Sequence, residues 1–161
     1  MAAYSPPVTI PSLAESQAQL RAQLGLLPPY WQACSDEELA ERPGPGRWSR
    51  KEILGHLIDS GLNNHRRLVL ASLTPPPHQL RPYDQDAWVR LSGYQHYPAA
   101  GLLALWTSQN HLMLHLLDRL PAHLLAQEYF SLNGNPTTLQ WLISDYVLHL
   151  EHHVRQIMHG D

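Results

Sequence analysis

The chain has 161 residues, of which 43% are hydrophobic and 16% charged, and its formal net charge is −3. We expect one domain over residues 1–161, and the lack of a basic run argues against a nucleic-acid partner. The apolar stretches are too short and too interrupted to span a membrane. No secretion signal is visible, and the one cysteine, Cys34, is typical of a reducing compartment, so we expect a cytoplasmic protein.

Four stretches between proline clusters show the periodicity of amphipathic helices, and the first two lie before residue 74. The first covers residues 12–26 and is expected to end before Pro28-Pro29, because proline lacks an amide N–H and clashes with the preceding turn. The second begins with the capping-box pattern of Ser49 and Glu52 and continues to about Leu73. A run of three prolines then ends it.

The other two helices are predicted in the second half of the chain. The third begins near Pro98, a residue type favoured in the first helical turn, and continues to about Leu120. The fourth follows the turn-forming residues 133–136, with Thr137 or Thr138 as its cap, and ends near residues 159–160.

These four helices, with no convincing alternating strand pattern, predict an all-α fold. The arrangement expected is a four-helix bundle with up-down-down-up or similar topology. Residues 74–97, between the second and third helices, form a longer link than a simple bundle turn requires. We therefore expect a crossover loop there that helps to shape a site.

His149 and His153 on the fourth helix are candidate metal ligands. Side chains four residues apart lie on one face of a helix, where two imidazoles can bind one metal ion. At about 100° per residue, His153 falls within the apolar face of this helix and His149 at its edge. Pairs at this spacing are more often surface residues, but two stacked histidines that face a core both need partners.

A polar stripe on the second helix includes His56, Asn63 and Arg67, with Asp59 beside it. Such a stripe is often a solvated face. Alternatively, His56 lies opposite the fourth helix and completes a three-histidine site, since bundle cores build metal sites from facing helices.

A second pair at the same spacing, His111 and His115, lies on the third helix. The wheel places both on the side opposite that helix's apolar face, so we expect surface residues.

Three segments of the chain, residues 48–60 (WSRKEILGHLIDS), 81–88 (RPYDQDAW) and 146–157 (YVLHLEHHVRQI), together resemble the DinB superfamily. This superfamily includes metal-dependent bacillithiol transferases and mycothiol-dependent enzymes. The resemblance implies a four-helix bundle, often a homodimer, with a three-histidine metal site. Carried over by position, the implied ligands are His56, His149 and His153. Residues 128–136 depart from the transferase pattern, in which a His-Pro element is common.

Three neutral imidazoles would leave a divalent ion, Zn or Ni by preference, with an open coordination position, as in catalytic zinc sites. The resemblance implies that a low-molecular-weight thiol takes this position and attacks an electrophilic small molecule, which would make the protein a thiol S-transferase. A metal-dependent hydrolase and a non-catalytic metal- or ligand-binding bundle are the alternatives.

Four further polar residues are candidates for the surroundings of this site. Asp59, Asn63 and Asp145 are expected to hydrogen-bond the ligating imidazoles or to line the pocket. Arg67 is a candidate for binding a carboxylate of the thiol cofactor, although a surface salt bridge is the more common role of such a residue.

Overall fold

The structure, a computed structural model, describes residues 9–73, 78–79, 81–130 and 136–160. Within these ranges the α-helices are α1 (Leu13–Ala33), α2 (Asp36–Ala40), α3 (Arg50–Leu73), α4 (Gln85–Ser92), α5 (Ala99–Asp118) and α6 (Leu139–His159). Three short strands, β1 (His78–Gln79), β2 (Glu128–Phe130) and β3 (Pro136–Thr138), form a small sheet in that order. β1 and β2 are parallel, and β2 and β3 are antiparallel.

The long helices α1, α3, α5 and α6 form a four-helix bundle in which α1 and α3 each pack against both α5 and α6. The first turns of α1 and α6 meet through the hydroxyls of Ser16 and Ser144, so these helices are parallel. Arg50 at the start of α3 donates to the carbonyl of Ile157 at the end of α6, so these two are antiparallel. The end of α1 meets the start of α5 through a hydrogen bond from Trp31. The predicted up-down-down-up topology is therefore confirmed.

The predicted end of the first helix is wrong, because α1 continues through Pro28 and Pro29 to Ala33. A proline inside a helix costs about 3 kcal/mol or more. Tertiary contacts offset this cost: Leu27 and Trp31 are buried in the bundle, and the Trp31 indole N–H donates to the carbonyl of Ala99 at 3.0 Å. Burial of these two side chains holds the last turns in helical form.

The predicted starts of the second and fourth helices are confirmed by their caps. The backbone N–H of Glu52 donates to the Ser49 hydroxyl at 3.2 Å, and the Glu52 carboxylate accepts from the Ser49 N–H at 2.9 Å. Thr138 caps α6 by accepting from the Trp141 N–H at 3.2 Å. The third predicted helix is α5, whose N-cap is Pro98.

The link between α3 and α5 contains regular structure that periodicity does not predict. α3 and α5 are parallel neighbours, so the chain must return along the bundle before α5 begins. The described part of this link contains α4, which is capped by the Asp84 side chain and ends at Gly93 with φ +66°. A 3-10 turn follows at Tyr94–His96. The predicted crossover is thus confirmed, but much of it is helical.

Helical periodicity also does not predict α2 or the three strands. α2 carries its own capping box, from Ser35 and Glu38, but has only five residues. The strands are two or three residues long, too short for local alternation to mark them. β1 and β2 pair distant parts of the chain, whereas β2 and β3 are close in sequence.

The core is mainly leucine, but α3 is unusual in its buried polar residues. Apart from its apolar side chains, α3 buries Lys51, Glu52, His56, Asp59, Ser60 and Asn64. Burial of polar groups is costly unless they are paired or serve a site, which directs attention to this helix. None of the helices in the described ranges combines the length and hydropathy needed to cross a membrane.

Candidate metal centre

Three histidine side chains meet between α3 and α6: His56 from α3, and His149 and His153 from α6. Their candidate ligand atoms all lie within 4.8 Å of one another. Nε2 of His56 is 3.2 Å from Nε2 of His149, and the His149 and His153 ring centroids are 4.6 Å apart. The structure therefore brings together the three residues that the sequence predicts as metal ligands.

The antiparallel packing of α3 and α6 explains why these three residues meet. The Arg50–Ile157 hydrogen bond places the start of α3 level with the end of α6. His56 lies six residues after Arg50, about 9 Å along the helix at 1.5 Å per residue. The midpoint between His149 and His153 lies about 9 Å before Ile157 by the same rise. One imidazole from α3 therefore comes level with the gap between two from α6.

Burial keeps these imidazoles uncharged. His56 is 1% exposed and His153 8% exposed. Burial, with a smaller effect of the neighbouring His153, lowers the pKa of His56 to about 3. Burial also lowers the pKa of His153 to about 4, although the hydrogen bond that His153 makes to Gln156 acts to raise it. Burial likewise lowers the pKa of His149. At neutral pH each ring is neutral, the form that binds metal ions.

Two neighbours that orient the imidazoles were not predicted from the sequence. Nδ1 of His153 lies 2.8 Å from Oε1 of Gln156, so Nδ1–H donates and Nε2 keeps its lone pair. The ring of Trp48 packs against His56 with centroids 5.1 Å apart. The i,i+3 spacing of His153 and Gln156 on one helix was an available signal, whereas nothing local marks Trp48.

Asp59 lies on α3 one turn after His56 and is 3% exposed. Its Oδ1 accepts from the Tyr94 hydroxyl at 2.7 Å, and its Oδ2 is buried with no hydrogen-bond partner among the described residues. Burial raises the pKa of Asp59, against the opposing effect of the Tyr94 hydrogen bond. The Asn63 amide nitrogen donates to the Asp59 main-chain carbonyl at 2.9 Å, within its own helix.

Arg67 lies on α3 about three turns after His56, and Asp145 lies on α6 one turn before His149. The Arg67 guanidinium donates to the carbonyl of Arg81 at 2.9 Å, which ties α3 to the crossover. Burial lowers the pKa of Arg67, while Tyr83 and then Asp145 act to raise it. Burial, followed by the charge of Asp59, raises the pKa of Tyr83 to about 12. The crossover thus contributes two tyrosines, Tyr83 and Tyr94, to the surroundings of the predicted polar residues.

The competing pair, His111 and His115, is exposed on α5, as predicted. Neither belongs to a cluster of potential ligands among the described residues. The departure from the transferase pattern lies largely in residues 131–135, which are outside the described residues.

Comparison with known proteins places the chain in one family. The sequence profile of the DinB superfamily matches residues 9–157. YfiT of Bacillus subtilis, whose name proposes a metal-dependent hydrolase, is 29% identical over 124 residues, 76% of this chain and 69% of that protein. OB0413 of Oceanobacillus iheyensis, named in the same way, is 25% identical over 150 residues, 93% of this chain and 86% of that protein.

Solved structures show the same fold. The structure of YfiT, a four-helix bundle of unusual topology, superposes with a TM-score of 0.82 at 26% identity, covering 96% of this chain and 89% of that one. A mycothiol-dependent maleylpyruvate isomerase superposes with a TM-score of 0.66 at 14% identity, covering 88% of this chain and 59% of that one, and so shows the fold alone. With a family profile matched over nearly its whole length, this chain belongs to the DinB superfamily.

Proposed function

We propose that His56, His149 and His153 bind one divalent metal ion and that the protein is a metal-dependent enzyme. The observation that carries this proposal is the 3.2 Å separation of the His56 and His149 Nε2 atoms inside a buried cluster of three imidazoles. Two nitrogens at about 2.0–2.1 Å from one tetrahedral zinc ion lie about 3.3 Å apart. Three neutral imidazoles also fit nickel, so Zn or Ni is the expected ion.

The burial of His56 is a second feature that fits a metal ion. The ring is 1% exposed and lies against Trp48 and the other two histidines. Its Nε2 contacts Nε2 of His149 at 3.2 Å, and its Nδ1 has no hydrogen-bond partner among the described residues. Coordination through Nε2 would supply an interaction that offsets the cost of burying the ring.

When bound, a divalent ion with an open coordination position lowers the pKa of a water molecule or thiol placed there. The protein's own side chains supply orientation and solvent exclusion. Gln156 fixes the orientation of the His153 ring by accepting a hydrogen bond from the His153 Nδ1–H. The Trp48 ring packs against His56. Oδ2 of Asp59 is a buried acceptor without a partner among the described residues, and we assign it the role of orienting a hydrogen-bond donor of the ligand.

For the reaction itself, thiol S-transfer to a small-molecule electrophile is our first proposal. It is supported by the DinB membership of the chain and by the shared fold of a mycothiol-dependent enzyme. Arg67, half-buried on α3, is the proposed partner of a carboxylate on the thiol. Hydrolysis is the second candidate, because relatives such as YfiT and OB0413 are named for it.

Metal titration followed by a paired turnover assay tests this proposal. Protein freed of metal by chelation is titrated with Zn²⁺ and Ni²⁺ in a calorimeter, and we expect one ion per chain. The loaded protein is then incubated with monochlorobimane and a low-molecular-weight thiol, or with an activated ester and no thiol. Thiol-dependent product supports transfer, and thiol-independent product supports hydrolysis. Stoichiometric metal with neither product supports a non-catalytic binding protein, and the absence of metal uptake contradicts the whole proposal.

The homodimer and the cytoplasmic location stay predictions. Light scattering of the metal-loaded protein measures the first.

A further inference from the structure

A cavity lies at the end of the bundle, where the segment between α2 and α3 crosses the first turn of α3 and the last turn of α6. Its volume is about 280 Å³, close to the lower end of the about 300–1,000 Å³ range of small-molecule sites. Its walls include Glu41, Arg47, Trp48, Arg50, Ile53 and Gln156.

This cavity is built against the outer side of the histidine cluster. Trp48 packs on His56 with ring centroids 5.1 Å apart. Gln156 accepts from Nδ1 of His153 at 2.8 Å, the side of the ring that faces away from the candidate ligand atom Nε2. Two walls of the cavity therefore touch two of the three histidines, although the cavity lies behind them.

The lining holds two guanidinium groups, of Arg47 and Arg50, and one carboxylate, of Glu41, so the charges at the cavity favour an anion. Among the described residues, neither Arg47 nor Arg50 lies within ion-pair distance of a carboxylate. Arg50 donates to the main-chain carbonyls of Ile157 and Glu38. Free carbonyls at the end of a helix repel an anion. At the end of α6, Arg50 donates to the Ile157 carbonyl and the Gly160 N–H donates to the Gln156 carbonyl, so this repulsion is reduced.

Part of the remaining wall is apolar. Trp48 and Ile53 present hydrophobic surface beside the two guanidinium groups. A planar ring that packs on Trp48, with one carboxylate directed at Arg47, satisfies both features of the cavity, because guanidinium pairs well with carboxylate. The volume fits one aromatic ring with a short substituent.

We propose that this cavity binds a small aromatic carboxylate, separately from the position where the proposed enzyme acts, and that its occupancy is coupled to the metal site through Gln156 and Trp48. The binding itself does not depend on the proposed function, whereas the coupling rests on it. By thermodynamic linkage, a ligand that changes metal affinity must have its own affinity changed by the same factor.

Calorimetric titration of metal-free protein with benzoate tests the binding. Removing the metal excludes benzoate coordination to it. We expect saturable binding of one benzoate per chain, weakened at least tenfold in Arg47→Ala and unchanged in Arg66→Ala, an exposed arginine of α3 away from the cavity. Benzamide, which has the ring without the charge, should bind at least tenfold more weakly than benzoate. No saturable binding, or equal binding by Arg47→Ala with its circular dichroism unchanged, overturns the proposal.

The coupling is measured by titrating Ni²⁺ with and without saturating benzoate. We expect a change in Ni²⁺ affinity of threefold or more that disappears in Gln156→Ala, whose benzoate binding is measured in the same series. An unchanged Ni²⁺ affinity in the wild-type protein, with benzoate bound, overturns the coupling. If the wild-type protein binds no Ni²⁺, the proposed function fails, and the benzoate titration still decides the cavity.

Discussion

The two histidine pairs of this protein have the same spacing and opposite surroundings. His149 and His153 on α6 pack against α3, where His56 lies between them. His111 and His115 on α5 are both exposed, although α5 is as long and as regular as α6. The same i,i+4 spacing therefore yields a cluster of potential ligands only where the opposing helix adds a third histidine and buries the pair.

The largest expected effect is the loss of metal binding when one histidine of the buried pair is removed. His149→Ala should weaken Zn²⁺ or Ni²⁺ binding by more than the about 10–100-fold typical of losing an outer hydrogen-bond partner, because two imidazoles then remain. His111→Ala is the matched control from the exposed pair, and calorimetry should show wild-type affinity for it. Equal affinities for the two variants would contradict the contrast between the pairs.

The next effect concerns the residue that orients the buried pair. Gln156→Ala removes the acceptor of His153 Nδ1–H, so metal affinity should fall about 10–100-fold. Gln32→Ala, at an exposed position of α1, should have no effect. A Co²⁺-loaded sample adds a spectroscopic measurement, since a changed ligand orientation shifts the visible absorption bands. Wild-type affinity and spectrum in Gln156→Ala would show that His153 needs no such partner.

Two glycines test whether the α3 side of the bundle is more tightly built than the α5 surface. A Cβ on Gly55 would lie 2.8 Å from the Cβ of Tyr94 and closer still to its ring, so Gly55→Ala should destabilise the fold by about 1–3 kcal/mol. A Cβ on Gly101 of α5 would meet only the ring of Tyr97, which is 45% exposed and free to swing away. Gly101→Ala should cost nothing, because alanine favours a helix over glycine by about 0.5–1 kcal/mol. Urea unfolding of both variants measures the difference, and equal stabilities would contradict it.

The smallest expected effect is a pH dependence that arises from the buried carboxyl of Asp59. Burial raises the pKa of Asp59 in the folded protein, so the folded state keeps this proton to higher pH than the unfolded chain, whose value is about 3.9. The contribution of this group to stability therefore falls as pH rises from the unfolded value through the folded one. Asp59→Asn lacks this titration, so its stability relative to the wild type should rise over that window. Urea midpoints of metal-free protein that stay parallel across pH would contradict the prediction.

Much of the bundle could be predicted because its determinants are local. The caps at Ser49 and Thr138 are short-range hydrogen bonds that residue type and spacing reveal. The continuation of α1 through Pro28 and Pro29 could not be predicted, because it depends on the burial of Trp31 against α5. The pairing of β1 with β2 likewise joins residues that are some 50 positions apart.

The site divides in the same way. The helical period places His153 on the apolar face of its helix, and the family resemblance implies His56, His149 and His153 as the ligands. Periodicity could not reveal that Asn63 is engaged by its own helix or that Gln156 and Trp48 contact the histidines. Nor could it reveal that the crossover places Tyr94 against Asp59.

By itself, the sequence determined four amphipathic helices, two histidine pairs and a third histidine on another helix, because residue type and helical period are local properties. Which of the two pairs joins the third histidine depends on the packing of the helices. The antiparallel packing of α3 and α6 brings His56 level with His149 and His153, and the burial that results holds all three imidazoles neutral. The pair on α5 faces solvent, where no opposing helix supplies either effect.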